Sequence, residues 1–141
     1  MVRRSILLSL LAVLPVATAC AGTGETGDGE VRTIEIAALD ELAFEPSEVR
    51  VEAGETVRFV VTNEGQTPHE FVLGDERVQE AHEMVGMEHG EATVEAMAAL
   101  TLDPGTTGEV TVTFEEPGEI LYGCHVPGHY DGGMVGKVIV G

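Results

Sequence analysis

A β-sandwich or barrel is the fold class this chain predicts, on three observations. From Val31 onward, apolar and polar residues mostly alternate with period two. Turn signals built on Gly and Pro break that alternation at short intervals. The result is about seven short runs, the pattern of a single all-β domain with two packed layers or a closed sheet. No internal repeat or second domain is visible in the 141 residues.

The elements justify themselves in order. "RTIEIAAL" (32–39) is the first expected strand. "SEVRVEAGETVRFVVTN" supplies two more, divided at Ala53-Gly54, where the alternation stops at a turn signal. "HEFVLG" (69–74) follows. "TGEVTVTFEEPGEILYGC" holds two strands around Pro117-Gly118, and "KVIVG" closes the chain. The segment 75–100 interrupts the pattern. Its Ala, Glu and Met content favours a helix that Gly86 and Gly90 weaken, so a short helical insert with a loop is expected there. A long connection within a compact domain often has a functional role.

The N-terminus reads differently. Arg3 and Arg4 give a charged start, Ile6 to Val16 a short apolar core, and Ala17-Thr18-Ala19 a small-residue cleavage site. Residues 1–19 are therefore expected to be a signal peptide, too short and Pro-interrupted for a membrane span. Cys20 stands directly after that site, and "VATAC" resembles the motif at which bacterial lipoproteins are acylated, with Ala17 where Leu is commonest. Cys20 is thus a candidate lipid-attachment residue, residues 20–30 a Gly/Thr/acidic tether, and 31–141 the folded domain. An exported protein is expected, anchored by lipid at the outer face of the cytoplasmic membrane or periplasmic.

The chain carries 25 acidic and 7 basic residues, a formal net charge of −18. Losing residues 1–19 would remove two of the basic residues and none of the acidic ones. Such a surface argues against nucleic acid or anionic lipid as partners and favours a protein with a basic docking surface. Cys20 and Cys124 are the two cysteines. If Cys20 carries lipid, Cys124 has no disulfide partner in an oxidising compartment and calls for burial or a metal.

Cys124, His129 and Met134 recur with four residues between neighbours in "GCHVPGHYDGGMVG". A thiolate, an imidazole and a thioether make a soft donor set suited to copper. Hard cations need several oxygen ligands, and zinc is poorly served by a thioether. One more imidazole would complete the His₂Cys set with a weak axial Met that defines blue-copper centres. His69, at the start of "HEFVLG", is the candidate, because a sandwich can bring that strand end beside the final hairpin.

With these residues in view, "NEGQTPHEFVLG", "PGTTGEVTVTF" and "PGEILYGCHVPGHYDGGMVGKVIV" resemble the cupredoxin family, especially small azurin- and plastocyanin-like bacterial copper proteins, over about residues 31–141. The resemblance implies a Greek-key antiparallel β-sandwich with one type 1 copper held by His69, Cys124, His129 and Met134. It implies single-electron transfer by Cu(II)/Cu(I) cycling with a redox protein partner, and no enzyme activity. It also suggests that Asn63 braces the loop before His69. His125, next to Cys124, is expected to face away from the copper as a surface or packing residue, since strand neighbours point to opposite faces.

The insert carries its own soft donors: His82, Met84, Met87 and His89 form a candidate second copper site. On an ideal helix His82 and His89 share a face opposite Met84 and Met87, so a loop at Gly86 would be needed to gather them. With "HEFVLG", "MEHG" and "PGHYDGGMVG" in this order, the chain resembles the bacterial exported cupredoxin-like subgroup with a Met/His insert, which is linked to copper tolerance. Copper tolerance, storage or delivery is therefore the alternative to electron transport.

Overall fold

The computed structural model describes residues 31–88 and 94–141, excluding the side chains of 86–88. The expected signal peptide, the tether with Cys20, the Met87 side chain and His89 lie outside the described residues.

Nine strands and one helix follow one another: β1 Arg32–Leu39, β2 Ala43–Glu45, β3 Glu48–Val51, β4 Glu55–Asn63, β5 His69–Gly74, α1 Glu76–Glu88, β6 Ala98–Leu102, β7 Thr107–Phe114, β8 Gly118–Gly123 and β9 Val135–Val140. They form a four-stranded sheet ordered β2-β1-β4-β7 and a five-stranded sheet ordered β3-β9-β8-β5-β6. Both sheets are mixed, not wholly antiparallel as expected. β1 pairs with β4 in parallel, Ile36 opposite Val61, and β3 pairs with β9 in parallel, Val49 opposite Val138. The reason is the path of the chain. After β2 it leaves the first sheet to make β3 in the second, then returns as β4, and such a crossover lets neighbours run in the same direction.

Two strands go beyond the sequence reading. β2 is three residues long and buries one apolar side chain, Phe44, too little to show a period. β6 lies at the end of the expected insert, where "AALTL" pairs with β5 from Leu73↔Ala98 to His69↔Leu102.

The core lies between the sheets and follows the alternation. Val57, Phe59 and Val61 of β4 face inward with Ile36 and Ala38 of β1, and meet Phe71, Leu73, Tyr122 and Val138 from the other sheet. Phe71 is its centre, with ring centroids 5.4 Å from Tyr122, 5.7 Å from Phe59 and 6.0 Å from Phe44. Tyr122 keeps its hydroxyl satisfied by donating to the Pro46 carbonyl at 2.6 Å, and burial pushes its phenol well up.

β5 breaks the inward-outward rule because its outer face is covered too. Helix α1, started by the Asp75 carboxylate accepting the Val78 N–H at 3.0 Å, lays Val78 and Gln79 over it. A methyl group on Gly74 would overlap Val78. Gln79 is fully buried, and its amide NH₂ is shared among the carbonyls of Val72, Gly74 and Leu121. The helix is thereby joined to both β5 and β8.

Phe71→Ala should lower the stability of the copper-free protein by about 3–5 kcal/mol, the usual cost of emptying an aromatic core site. Met84→Ala, at a position 64% exposed, should leave it within about 0.5 kcal/mol of the parent. Urea unfolding midpoints check both, and a Phe71→Ala loss under 1 kcal/mol would contradict this account of the core.

Candidate metal centre

The site sits at one end of the sandwich, where β4 runs into β5 and β8 into β9. Asn63, the last residue of β4, is fully buried. Its side-chain NH₂ donates to the carbonyls of Thr67 at 2.8 Å and Leu102 at 2.9 Å, and its Oδ1 accepts the Gly65 N–H at 2.9 Å. This is the loop-bracing role expected of it, and it delivers His69 at the head of β5, also fully buried.

Cys124, His129 and Met134 occupy the connection from β8 to β9. Cys124 N–H donates to the Met134 carbonyl at 3.1 Å, closing the hairpin, and Met134 N–H donates to the His129 carbonyl at 3.0 Å. Gly128 and Gly133 have φ of 82° and 99°, values that suit glycine and let the loop turn back on itself.

The loop and β5 converge. Ligand atoms of His69, Cys124 and His129 all lie within 4.8 Å of one another, the one such cluster of His, Cys and acidic donors among the described residues. Cys124 Sγ is 3.4 Å from His129 Nδ1 and 3.9 Å from His69 Nδ1, and it accepts the Glu70 N–H at 3.2 Å. Both Cys124 and Met134 are fully buried. Burial pushes the Cys124 thiol up, against the lowering effect of the Glu70 and Val126 N–H groups. Burial, then the neighbouring His69, pushes His129 down. A metal that displaces the thiol proton and accepts neutral imidazoles suits such a set. Two imidazoles, a thiol and a buried thioether next to them in the chain fit copper.

Sequence reasoning missed Asp40, in the turn after β1. Its Oδ2 accepts the Gln66 N–H at 2.8 Å. Its Oδ1 accepts the Thr67 N–H at 3.2 Å and hydroxyl at 2.7 Å, and meets His69 Nε2 at 3.2 Å. The Gln66 N–H and then the Thr67 hydroxyl hold its carboxyl at about 2, below the ordinary 3.8. Only the fold reveals this residue, since it lies 29 residues from His69 and in no motif.

His125 does turn away from the cluster, and it is a packing residue. It is 4% exposed, with Nδ1 2.9 Å from Glu83 Oε2 and Nε2 2.8 Å from Gln79 Oε1, and its ring stacks on Tyr130 at 4.8 Å. Burial, then Glu76, Glu83 and Glu80, push the Tyr130 phenol up. Of the candidate second site, His82 lies with its ring 5.7 Å from that of His125, whereas Met84 is exposed. Desolvation, then His125, pushes His82 down. His82 and Met84 are two residues apart on α1, about 200° round the helix axis.

Comparison with known proteins bears on this geometry. The family model for copper binding proteins of the plastocyanin/azurin family matches residues 32–141. The chain is 38% identical over 124 residues to the copper-resistant cuproprotein CopI of Rubrivivax gelatinosus, covering 83% of this chain and 72% of that protein. It is 35% identical to auracyanin-A of Chloroflexus aurantiacus, covering 98% and 96%. The crystal structure of dithionite-reduced auracyanin from Roseiflexus castenholzii superposes with a TM-score of 0.70 at 29% identity, covering 80% and 99%.

The depressed Asp40 carboxyl has a pH consequence. Its folded-state value lies below its unfolded one, so its contribution to stability is complete above 3.8 and is lost as pH falls toward about 2. The urea midpoint of the copper-free protein should therefore fall more steeply across that window in the parent than in Asp40→Asn. Parallel curves would contradict the contacts assigned to Asp40.

Proposed function

The chain belongs to the plastocyanin/azurin family of copper-binding proteins, and from that premise we propose that it carries single electrons between redox partners outside the cytoplasmic membrane. It is a cupredoxin with one type 1 copper. His69, Cys124 and His129 would hold the ion, with the Met134 thioether as a weaker fourth donor. When bound, the copper supplies a Cu(II)/Cu(I) couple.

One observation carries the reading. Three donors from two remote segments meet within 4.8 Å, with the His69 ring held by Asp40, the Cys124 sulfur by the Glu70 N–H and the His129 backbone by the turn of its loop, all independent of the metal. Such a site need move little when an electron arrives or leaves. The buried surroundings and the N–H donor on the Cys124 sulfur are the means by which the protein tunes the couple.

The outward setting follows from the charged, apolar and small-residue order of residues 1–19. Cys20 would attach the domain to the membrane by lipid, with residues 20–30 as tether. The net charge of −18 would steer a partner with a basic docking surface.

A second reading, copper tolerance or delivery, is favoured by the likeness to CopI, a protein named for copper resistance. In that role the insert bearing His82, Met84, Met87 and His89 would capture a second copper ion.

Cys124→Ser should abolish the blue charge-transfer band of the copper-loaded protein, because that transition needs the Cu–thiolate bond. Met134→Gln should keep copper bound and lower the reduction potential. A serine variant that stays blue would show the sulfur assignment to be wrong.

Replacing His82, Met84, Met87 and His89 together by Ala, which spares the Glu83–His125 contact, separates the two functions. Loss of copper tolerance, with the blue site and electron self-exchange intact, supports capture by the insert. A wild-type stoichiometry of one copper per chain removes the second site.

A further inference from the structure

We propose that Asp40 is the positioning residue of the copper centre: its carboxylate presets His69 as an Nδ1 donor and places a fixed negative charge behind that ligand, favouring Cu(II) over Cu(I). The inference rests on His69 being a copper ligand, as proposed above. Three observations carry it.

The first is the hydrogen bond itself. A carboxylate can only accept, so at 3.2 Å from Asp40 Oδ1 the His69 Nε2 must carry the ring proton. The lone pair is then left on Nδ1, the nitrogen that faces Cys124 Sγ. A ligating imidazole whose other nitrogen meets a carboxylate is a stronger donor with a fixed orientation.

The second is that Asp40 is itself held. Its Oδ2 takes the Gln66 N–H and its Oδ1 the Thr67 N–H and hydroxyl, all within the loop that Asn63 braces. The carboxylate therefore has a set position before any metal arrives.

The third is the space made for it. A methyl group at Gly65 would overlap the Asp40 carboxylate and come within 3.1 Å of His69 Nε2, so a side chain there would force the pair apart. The same turn also touches the metal loop, because a methyl group on Gly132 would overlap Leu42. The β1–β2 turn thus lies along the outer side of the centre, with Asp40 in contact with the ring of His69.

The test compares Asp40→Asn with Glu64→Gln, which removes an exposed charge, one with no hydrogen bond to His69, from the loop that holds Asp40. Asp40→Asn should lower Cu(II) affinity by about ten- to hundredfold, the usual effect of losing such a partner. Where that loss exceeds the loss for Cu(I) by tenfold, the potential rises by about 59 mV. Glu64→Gln should stay within twofold of wild type in affinity. Nitrogen-15 NMR of the copper-free wild-type protein should show His69 protonated at Nε2, a measurement that needs no variant to fold. A His69 proton on Nδ1, or an Asp40→Asn protein with wild-type Cu(II) affinity and potential, would overturn the inference. A His69→Ala protein that remains blue would instead overturn the ligand assignment beneath it.

Discussion

The hydrogen bond from Glu70 N–H to Cys124 Sγ ties together the two segments on which the centre depends. Glu70 is the second residue of β5 and Cys124 follows the last residue of β8, so one contact fixes where the thiol lies relative to the ring of His69. It also gives a buried sulfur the polar partner that burial demands. Among the described residues no buried side-chain nitrogen or oxygen lacks a hydrogen-bond partner. A cluster of two imidazoles and a thiol can therefore sit at the end of an apolar core without leaving polar groups stranded.

The rest of the fold can be understood as support for that contact. The aromatic core around Phe71 sets the separation of the sheets directly beneath His69, two residues away along β5. Antiparallel pairing of β8 with β9 carries the registry up to Gly123 and Val135, so Cys124 and Met134 emerge opposite each other. Helix α1 adds an outer layer. Through Gln79 it grips β5, β8 and the ring of His125, and so braces the residue that follows the metal-facing thiol. Whatever the soft residues of the insert bind, its first two turns are built into the fold.

Charge is arranged with less regularity than packing. Most carboxylates lie on the exposed surface, where ion pairs such as Arg58–Glu109 contribute little. Some of them nonetheless make contacts to remote segments. Asp40, itself exposed, is held by Gln66 and Thr67 of the loop between β4 and β5 and by His69, Glu83 by His125, and Glu55 by Arg32 at 2.7 Å. Of these, Asp40 and Glu83 stand against the metal-bearing end, and the Glu83 carboxylate is the one of the two largely removed from solvent, where a charge acts on its neighbours more strongly than in open water.

Much of this protein was legible in its sequence, because the relevant signals are local. The alternation in "ETVRFVVTN" and the short apolar run in "HEFVLG" are properties of consecutive residues, and both stretches are strands at the expected bounds. The spacing of Cys124, His129 and Met134 within one hairpin loop is likewise local, and softness of the donors names the metal. What the sequence could not express is partnership across distance. The parallel pairing of β1 with β4, the short β2, and the pairing of "AALTL" with β5 depend on where the chain goes after it leaves each element. Asp40 reaches His69, and Gln79 reaches His125, only once the sheets have closed and the helix has docked. Residue types and their periods decided which chemistry this chain can host; the folding of remote turns onto one another decided which groups orient and charge it, because hydrogen bonds between distant segments leave no pattern in consecutive residues.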